Sequence, residues 1–320
     1  MKSVVVGFGG ALPKKCIKND ELPASLNTSD EWISQRTGIK QRYVISEGES
    51  TSTLATKAAE DALNFAKISP NDVDLIVVGT TTGDYTFPAT ACVVQKNLNI
   101  TNGCPAFDVS AACSGFIYAL DIADSFVRTG KAKHALVIGA DSFSKILDWN
   151  DRSSCVLFGD GAGAVVLKAE ENTDKGIQYC KIHADGTYTD CLVTSGGVAT
   201  TQEAGVVTMK GRETFKFAVE KFCDSFRELL KSNKLTVDDI DLIVPHQANV
   251  RIINKLIDVL KIDPKKVVIT IDRHSNTSAA TIPLALNEIK DTIGTNGADK
   301  NIVLLSMGAG FTWGAVLVKM

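Results

Sequence analysis

Short runs of β-branched and other apolar residues alternate with amphipathic helical patterns along the chain. LIVVGT at 75–80 and LIVP at 242–245 have the length and composition of buried strands, and each follows a helical pattern rich in alanine, leucine or phenylalanine. This alternation predicts an α/β fold with largely parallel sheets. The glycines of VVVGFGGAL near the start are not followed by a helical pattern, so they do not predict a dinucleotide-binding loop.

The pattern occurs twice in the chain. NDVDLIVVGT (71–80) aligns with DDIDLIVPHQ (238–247), and FGDGAGAVVLK (158–168) aligns with SMGAGFTWGAVLVK (306–319). Internal symmetry of this kind predicts two related subdomains, each a sheet with helices, that meet across a pseudo-twofold axis.

We predict that the first subdomain covers residues 1–170 and the second covers residues 171–320. The polar, charged segment KAEENTDKGI at 168–177 is the predicted connection between them. Cys113, in DVSAACSGF, and Asn276, in RHSNTSAAT, fall at matching positions of the two repeats. The repeat therefore predicts that both residues lie at the junction of the subdomains.

Cys113, His246 and Asn276 each lie where a predicted strand ends. Ligands bind at the strand ends of open α/β sheets, so we expect the three side chains to converge. The helical pattern that begins at Phe116 puts Cys113 at a helix N-terminus, where free N–H groups and the helix dipole favour a thiolate. Each residue alone also suits a structural role, but the combination predicts a cysteine nucleophile with a histidine and an amide donor.

Composition narrows the class of protein. The 320 residues carry a formal net charge of −3 and no long run of lysine or arginine, which argues against nucleic-acid binding. The apolar stretch at the start is too short for a membrane span and is broken by glycine and proline. Eight cysteines without regular spacing fit reduced thiols in the cytoplasm. No CxxC pair or histidine pair has ligand spacing, so no metal site is predicted.

Together, DVSAACSGF, VPHQAN, RHSNTSAA and the C-terminal GAGFTWG resemble the motifs of the β-ketoacyl-acyl carrier protein synthase III family, the condensing enzymes that start bacterial fatty-acid synthesis. The resemblance covers the whole chain, including TSDEWISQRTGIKQR at 28–42. Condensing enzymes that elongate longer chains have a second histidine in place of Asn276, and thiolases have a second cysteine. The resemblance implies a thiolase-like five-layer αβαβα sandwich and a homodimer.

The same resemblance implies a two-step reaction. Cys113 would take the acyl group of a short acyl-CoA, with the backbone N–H groups of Cys113 and Ala309 as the oxyanion hole. Malonyl-acyl carrier protein would then lose carbon dioxide while His246 and Asn276 donate hydrogen bonds to its thioester carbonyl. Acyl-CoA is a substrate in this scheme, so no cofactor is expected.

Binding residues also follow from the resemblance. The CoA and pantetheine set is Thr28, Trp32, Arg36, Arg152, Gly211 and Asn249, with Trp32 stacked on the adenine. The acyl-pocket set is Phe87, Phe143, Phe158 and Leu192, with Phe87 reaching into the neighbouring subunit. The set that docks the acidic carrier protein is Arg251, Lys216 and Lys255. Surface packing, a buried aromatic and a solvated helix face are the plainer explanations of Trp32, Phe87 and these charges.

Phe143 stands where family members often carry a smaller aliphatic residue, which predicts a short pocket and a preference for acetyl over branched or longer starters. Three alternatives stay open. A related thiolase-like synthase would use a branched, longer or secondary-metabolite starter. A papain-like hydrolase would use Cys, His and Asn to pass the acyl group to water. A non-catalytic subunit would keep the fold for partner binding, although such relatives lose the cysteine.

Overall fold

The computed structural model describes residues 1–294 and 299–320. Its strands are β1 (Lys2–Ala11), β2 (Lys15–Lys18), β3 (Gln41–Val44), β4 (Leu75–Gly79), β5 (Ala106–Val109), β6 (His134–Ser142), β7 (Asp160–Glu170), β8 (Gly176–Ala184), β9 (Leu192–Thr194), β10 (Val207–Met209), β11 (Leu242–Pro245), β12 (Asn301–Gly308) and β13 (Thr312–Lys319). Its helices are α1 (Asp30–Thr37), α2 (Thr51–Ala66), α3 (Thr90–Asn97), α4 (Gly115–Arg128), α5 (Gly211–Asn233), α6 (Val250–Leu260), α7 (Ile271–His274), α8 (Thr281–Glu288) and α9 (Lys290–Gly294). The 3-10 turns Ala112–Ser114 and Ser278–Ala280 precede α4 and α8.

Two sheets with the same strand order form the frame of the molecule. The first has the order β1-β7-β6-β4-β5 and the second has β8-β13-β12-β11. Beside β11, Val267 forms a single parallel bridge with Ile243, at the position that β5 takes beside β4. β4 is parallel to β6 and β11 is parallel to β12, whereas β7 and β13 are antiparallel to their neighbours. The sheets are therefore mixed, and the predicted largely parallel arrangement is wrong. The predicted duplication is confirmed as two sheets of matching topology.

Helices and sheets stack in five layers, which confirms the predicted αβαβα order. Helices α2 and α3 cover the outer face of the first sheet, α4 and α8 lie between the sheets, and α5 and α6 cover the outer face of the second. Successive residues of a strand point to opposite faces. In β4, Leu75 and Val77 accordingly pack with the central layer, and Ile76 and Val78 pack with the outer helices.

The central layer explains the apolar pattern that follows Cys113. Phe116 and Leu120 of α4 belong to one buried cluster with Val5 of the first sheet and Val316 of the second. A helix buried between two sheets must be apolar on most of its circumference. Because α4 is packed by both sheets, the residues at its N-terminus lie where the two halves meet.

The segment 15–44 packs against the loop that precedes β7. It contains the β2-β3 hairpin and α1, and Ile33 of α1 belongs to a small buried cluster with Val156. Arg42 of β3 is fully buried and donates hydrogen bonds to Asn19 Oδ1 at 2.6 Å and to Val156 O at 3.1 Å. Burial lowers the pKa of Arg42 to about 10, so it stays charged at neutral pH.

The connection between the two sheets is shorter than the segment 168–177 that the sequence predicts. β7 extends to Glu170 and β8 begins at Gly176, so only residues 171–175 separate them. The subdomain boundary after residue 170 stays a prediction. Within residues 1–294 and 299–320, no helix combines the length and apolar character that a membrane span requires.

Candidate active site

Cys113 lies in the 3-10 turn that leads from β5 into α4, at the helix N-terminus that the sequence predicts. Ala112 before it takes a left-handed φ of 45°, a conformation uncommon in non-glycine residues and concentrated at functional sites. Ser114 N donates to Ala111 O at 3.0 Å, and Ser306 Oγ of β12 donates to Cys113 O at 2.7 Å. The turn is therefore held by its own backbone and by a side chain of the second sheet.

The thiol of Cys113 is only 5% exposed, and burial raises its pKa to about 12. The neighbouring Ser278 hydroxyl lowers this pKa and the Asp141 carboxylate raises it, but burial is the largest cause. The predicted preference for a thiolate is therefore wrong for the substrate-free chain, because the N-terminal N–H groups of α4 do not offset the loss of water around the sulfur.

His246 follows Pro245 at the end of β11 and is 2% exposed. Its backbone N–H donates to Leu305 O at 2.7 Å, which extends the pairing of β11 with β12. Burial lowers the pKa of His246 to about 3, so the imidazole is neutral at physiological pH. Its Nδ1 lies 2.6 Å from Thr281 Oγ1, and this contact decides which ring nitrogen carries the proton.

Asn276 lies in the turn between α7 and α8. Its N–H donates to Leu157 O at 3.0 Å, and its carbonyl accepts from Gly159 N at 3.0 Å. Its side-chain Oδ1 accepts from Ser278 N at 2.9 Å. Among the described residues no group accepts a hydrogen bond from Asn276 Nδ2. The amide is thus oriented by its oxygen, and its nitrogen is left to donate elsewhere.

One cavity of about 630 Å³ is lined by Cys113, His246 and Asn276 together. The structure therefore brings the three predicted catalytic side chains to one place. From the predicted binding residues, the same cavity is lined by Gly211, Asn249, Phe158 and Leu192. Most of the other lining side chains are apolar, as in typical sites for small organic ligands.

A second cavity, of about 1180 Å³, also reaches Cys113. It is lined by Ala309, Phe143 and Leu192, and Leu192 lines both cavities. The rings of Phe143 and Phe158 stack with their centroids 4.7 Å apart, and both side chains are buried. Three of the four predicted acyl-pocket residues thus form one wall between the cavities.

Phe87 is the exception in the predicted acyl-pocket set. Its side chain is 82% exposed and lines neither cavity of its own chain. Tyr85, two residues earlier in the same loop, is also exposed. Both rings therefore lie outside the core of this chain.

Trp32, Arg36 and Arg152 lie together, although Arg152 is 120 residues after Trp32 in the sequence. The guanidinium carbon of Arg36 lies 4.4 Å from the centroid of the Trp32 ring, and that of Arg152 lies 5.1 Å from it. Arg152 also donates to Asn27 O at 2.8 Å. Thr28 Oγ1 is buried and has no hydrogen-bond partner among the described residues. The arrangement offers a flat ring and two cations to a planar, anionic ligand.

The predicted carrier-docking cations lie on the helices that flank the first cavity. Lys216 is on α5, and Arg251 and Lys255 are on α6; all three are exposed. Arg251 lies 5.9 Å from the ring centroid of Phe215, which lines the first cavity. Within the described part of the chain no acidic side chain pairs with these three cations. They form an unneutralised positive surface near the cavity.

Sequence reasoning missed two buried polar residues beside the site. Thr281 contacts His246, and Asp141 accepts hydrogen bonds from both halves of the molecule. Asp141 did give a signal, since an aspartate inside the apolar strand that ends in GADSF requires partners once it is buried. In the described residues no three His, Cys, Asp or Glu side chains are grouped as metal ligands.

The duplicated five-layer fold, with its reactive turns at the junction of the halves, defines a thiolase-like condensing enzyme, a class of acyltransferases. The family model for 3-oxoacyl-[acyl-carrier-protein] synthase III matches residues 107–186, and the model for its C-terminal part matches residues 230–320. A β-ketoacyl-[acyl-carrier-protein] synthase III from Rhizorhabdus wittichii is 52% identical over 99% of this chain and 99% of its own. The chain belongs to the 3-oxoacyl-[acyl-carrier-protein] synthase III family.

Solved structures agree with this assignment. The 3-oxoacyl-[acyl-carrier-protein] synthase III from Aquifex aeolicus is 46% identical and superposes with a TM-score of 0.93, covering 99% of this chain and 100% of that chain. The priming β-ketosynthase of the R1128 polyketide pathway is 32% identical, with a TM-score of 0.92 over 99% of this chain and 96% of that one. The chain is accordingly a condensing enzyme and an acyltransferase.

Proposed function

We propose that this enzyme condenses a short acyl-CoA, acetyl-CoA in the first place, with malonyl-acyl carrier protein through an acyl-Cys113 intermediate. One observation carries the proposal: Cys113, His246 and Asn276 line a single cavity. A nucleophile, a neutral imidazole and a free amide N–H at one place suit acyl transfer followed by enolate formation. The acyl-CoA is consumed as a substrate, and the reaction needs no cofactor.

In the first step, Cys113 Sγ attacks the thioester carbonyl of acetyl-CoA. The bond from this carbon to the CoA sulfur breaks, a thioester to Cys113 forms, and the thiol proton leaves with CoA. One thioester replaces another, so the step is close to thermoneutral. The backbone N–H groups of Cys113 and Ala309 stabilise the oxyanion, and both residues border the second cavity.

In the second step, malonyl-acyl carrier protein loses carbon dioxide, and the resulting enolate carbon attacks the acetyl group on Cys113. His246 Nε2 and Asn276 Nδ2 donate to the thioester carbonyl on which the enolate charge develops. One contact supports the role of Asn276: the Ser278 N–H holds Asn276 Oδ1, which leaves Nδ2 free to donate. The role of His246 requires its proton on Nε2, so the Thr281 hydroxyl must donate to His246 Nδ1 at 2.6 Å rather than to Ser278 O at 3.2 Å.

The two substrates reach the site along the same route. Trp32, Arg36 and Arg152 hold the nucleotide end of CoA, with Thr28 beside them, and Gly211 and Asn249 line the cavity in which the pantetheine arm lies. The positive surface of Arg251, Lys216 and Lys255 receives the acidic carrier protein. Complementary charge of this kind chiefly raises the rate of encounter and fixes orientation.

The acetyl preference rests on the aromatic wall. Phe143 is buried and stacked on Phe158, so neither ring can swing away to admit a branched chain without losing that contact. The wild type should turn over isobutyryl-CoA much more slowly than acetyl-CoA, and Phe143→Leu should raise the isobutyryl rate relative to the acetyl rate. Equal turnover of both substrates by the wild type would disprove the preference.

A homodimer completes the proposal. The exposed rings of Phe87 and Tyr85 are the surface that a second copy would cover, with Phe87 entering the neighbouring acyl cavity. Sedimentation velocity of the wild type and of Phe87→Ser tests this. A wild type that stays monomeric at micromolar concentration would contradict it.

Intact-protein mass spectrometry tests the chemistry itself. The enzyme is incubated briefly with acetyl-CoA, and malonyl-acyl carrier protein is then added. We expect one acetyl group on Cys113, which disappears as acetoacetyl-acyl carrier protein forms. Loss of the acetyl group without malonyl-acyl carrier protein would indicate a hydrolase instead. Cys113→Ser provides the control, and full condensation by that variant would disprove the covalent route.

A second candidate function is priming of a polyketide pathway, as named for the R1128 priming β-ketosynthase, which superposes on this chain with a TM-score of 0.92 at 32% identity. The same mass experiment separates the two functions. Labelling of Cys113 by a longer or branched acyl-CoA, without labelling by acetyl-CoA, would keep the mechanism and replace the starter.

A further inference from the structure

Asp141 is a fully buried carboxylate near the end of β6, and it contacts both halves of the molecule. On the first-half side, Oδ1 accepts from Thr80 Oγ1 at 3.2 Å, from Thr81 N at 2.9 Å and from Thr82 Oγ1 at 2.7 Å. On the second-half side, Oδ2 accepts from Ala279 N at 3.2 Å. In residues 1–294 and 299–320 no lysine, arginine or histidine forms an ion pair with it. A buried acid satisfied only by neutral donors is costly to maintain and calls for an explanation.

The contact with Ala279 fastens the turn that carries Asn276. Ala279 lies in the 3-10 turn that begins two residues after Asn276. Gly139, two residues before Asp141 in the same strand, lies directly under that turn, because a Cβ placed on Gly139 would be 2.2 Å from Ala279 O. β6 therefore holds the turn twice, by close backbone approach and by the Asp141 carboxylate.

The fastened turn is strained. Ser275 takes a φ of 61° with a ψ of −163°, a region that is populated almost only by glycine, and Ser278 takes a φ of 52°. Residues in such conformations persist only where their surroundings hold them. The N–H of Ser278 is also the donor that fixes Asn276 Oδ1. The orientation of the Asn276 amide thus depends on a turn that would relax without its restraints.

We propose that Asp141 is a positioning residue for the condensation step: from the first half of the chain it holds the Ser278–Ala280 turn, and through that turn it keeps Asn276 Nδ2 directed at the enolate. This inference rests on the proposed function, because Asn276 needs that direction only for the second step. Asp141 itself touches neither substrate. Acylation of Cys113 does not use Asn276, so Asp141 affects it only by raising the pKa of the thiol, and it does so less strongly than burial does.

The test is Asp141→Asn with both half-reactions measured separately. The amide is the same size as the carboxylate, but its NH₂ must face a donor on one side or the other, so the Ala279 contact or the Thr81 contact turns repulsive. We expect acetylation of Cys113 by acetyl-CoA to be largely kept, whereas condensation falls by about 10²-fold, as for a donor displaced by about 1 Å. Thermal unfolding of the variant checks that it is folded.

A double-mutant cycle distinguishes positioning from a general loss of structure. If Asp141 acts through Asn276, Asp141→Asn should cause no further loss of condensation in an Asn276→Ala background. An equal fold-loss in both backgrounds would overturn the proposal. The matched control is Thr82→Val, which removes the hydrogen bond from Thr82 Oγ1 to the same carboxylate and the acceptor of the Ser142 N–H, both within the first half. It should leave the ratio of condensation to acetylation unchanged, and a control that shifts this ratio as Asp141→Asn does would also overturn the proposal.

The two measurements distinguish failure of the proposed function from failure of the proposed role of Asp141. A wild type that is not acetylated by any acyl-CoA disproves the proposed function, whereas a fully active wild type with an unaffected Asp141→Asn variant disproves only the role of Asp141. If Asp141→Asn does not fold, the cycle is repeated in a Ser275→Gly background, since glycine adopts the backbone conformation of Ser275 without strain. A chain that folds in neither background would make Asp141 a folding requirement and would overturn its positioning role.

Discussion

The turn that carries Cys113 and the turn that carries Asn276 occupy the same place in two sheets of the same strand order, yet they are built differently. The first follows a regular strand, β5, and opens a helix of 14 residues. The second follows a strand reduced to one bridge at Val267 and passes through the four-residue helix α7. Both turns contain non-glycine residues with left-handed φ, Ala112 in the first and Ser275 and Ser278 in the second. The same frame thus places Cys113 between a regular strand and a long helix, and Asn276 in a less regular turn.

The two turns also differ in what holds them, and the pattern is reciprocal. The Cys113 turn is fastened by the second half, through Ser306 Oγ to Cys113 O and Thr312 Oγ1 to Ala111 O at 3.1 Å. The Asn276 turn is fastened by the first half, through Leu157, Gly159 and Asp141. Each half therefore carries one turn of the candidate site that the other half holds.

The largest effects are expected from removing the side chains of Cys113 and Asn276. Cys113→Ala should lose both acetylation and condensation, with condensation reduced by at least about 10³-fold, because the covalent route is gone. Asn276→Ala should still accept the acetyl group and lose about 10²–10³-fold in condensation, the usual cost of one oxyanion donor. Intact mass and product formation report the two steps. An Asn276→Ala enzyme that cannot be acetylated would show that the Asn276 turn is not limited to the condensation step.

The next largest effects are expected from substituting glycines that lie in close contact across the junction of the two halves. A Cβ on Gly308, at the end of β12, would lie 2.7 Å from Cys113 N and 2.9 Å from Ser114 N, which are backbone atoms that cannot move aside. Gly308→Ala should therefore lower the free energy of unfolding by about 1–3 kcal/mol and slow acetylation of Cys113. Urea unfolding and the rate of acetylation measure the two effects.

Two further glycines, Gly159 and Gly186, serve as comparisons for Gly308. A Cβ on Gly159 would meet the Ser275 hydroxyl at 2.4 Å and Tyr43 O at 3.1 Å, so Gly159→Ala should disturb the Asn276 turn and condensation rather than acetylation. Gly186 has nothing within 4 Å of a Cβ, and Gly186→Ala should change stability by less than about 0.5 kcal/mol. Equal effects of Gly308→Ala and Gly159→Ala on acetylation would argue that the Cys113 turn and the Asn276 turn are not held by separate contacts.

The pH dependence of stability should separate His246 from Cys113. The pKa of His246 is about 3 in the folded chain against the ordinary histidine value of 6.5, so its stabilising contribution is full above pH 6.5 and is lost as the pH falls toward 3. At pH 4.5 the loss amounts to about 2–3 kcal/mol. His246→Gln should lose correspondingly less between pH 7 and pH 4.5 in urea unfolding. An equal loss in both proteins would contradict a buried, neutral imidazole.

The thiol of Cys113 has the opposite dependence. Its pKa is raised from 9.0 to about 12, so its contribution is present below pH 9 and is lost as the pH rises from 9 toward 12.

The smallest effect is expected from relief of strain in the second turn. Ser275→Gly removes the cost of its φ of 61° and should raise the free energy of unfolding by about 1 kcal/mol. Ser275→Ala keeps the strained backbone and should give no such gain. Thermal and urea unfolding compare the two variants. A gain for Ser275→Ala as large as for Ser275→Gly would show that the side chain, and not the backbone, is the source of strain.

The sequence was sufficient for the frame and for the three central residues. The repeat located Cys113 and Asn276 at matching turns, and the strand that ends in Pro245 located His246. Contacts between residues that are far apart in the sequence could not be predicted from it. Asp141 and Ala279 are 138 positions apart, and nothing in the pattern near either one names the other. Pairing across the junction is a property of how the sheets stack, not of local periodicity.

The thiol of Cys113 shows a different limit. Its place at a helix N-terminus was correctly predicted, but its pKa was not, because the sign of the shift depends on how completely the sulfur is buried. Local sequence reports the dipole, whereas burial is set by segments as distant as Ser278 and Met307. The family resemblance, which carries information on tertiary contacts that periodicity lacks, predicted that Trp32, Arg36 and Arg152 share one binding region. Their role in CoA binding stays a prediction, and the contacts of both guanidinium groups with the Trp32 ring are an addition from the structure.

The crossed fastening of the two turns has a consequence for recombination. Residues 171–175 between β7 and β8 offer an obvious breakpoint for joining the front of one family member to the back of another. Such a chimera would inherit every reactive side chain and yet combine each turn with foreign supports, such as Ser306 and Thr312 on one side and Asp141 and Gly159 on the other. Compatibility across this breakpoint therefore has to be matched at the supports, and the two halves are expected to be exchanged in evolution only as a co-adapted pair.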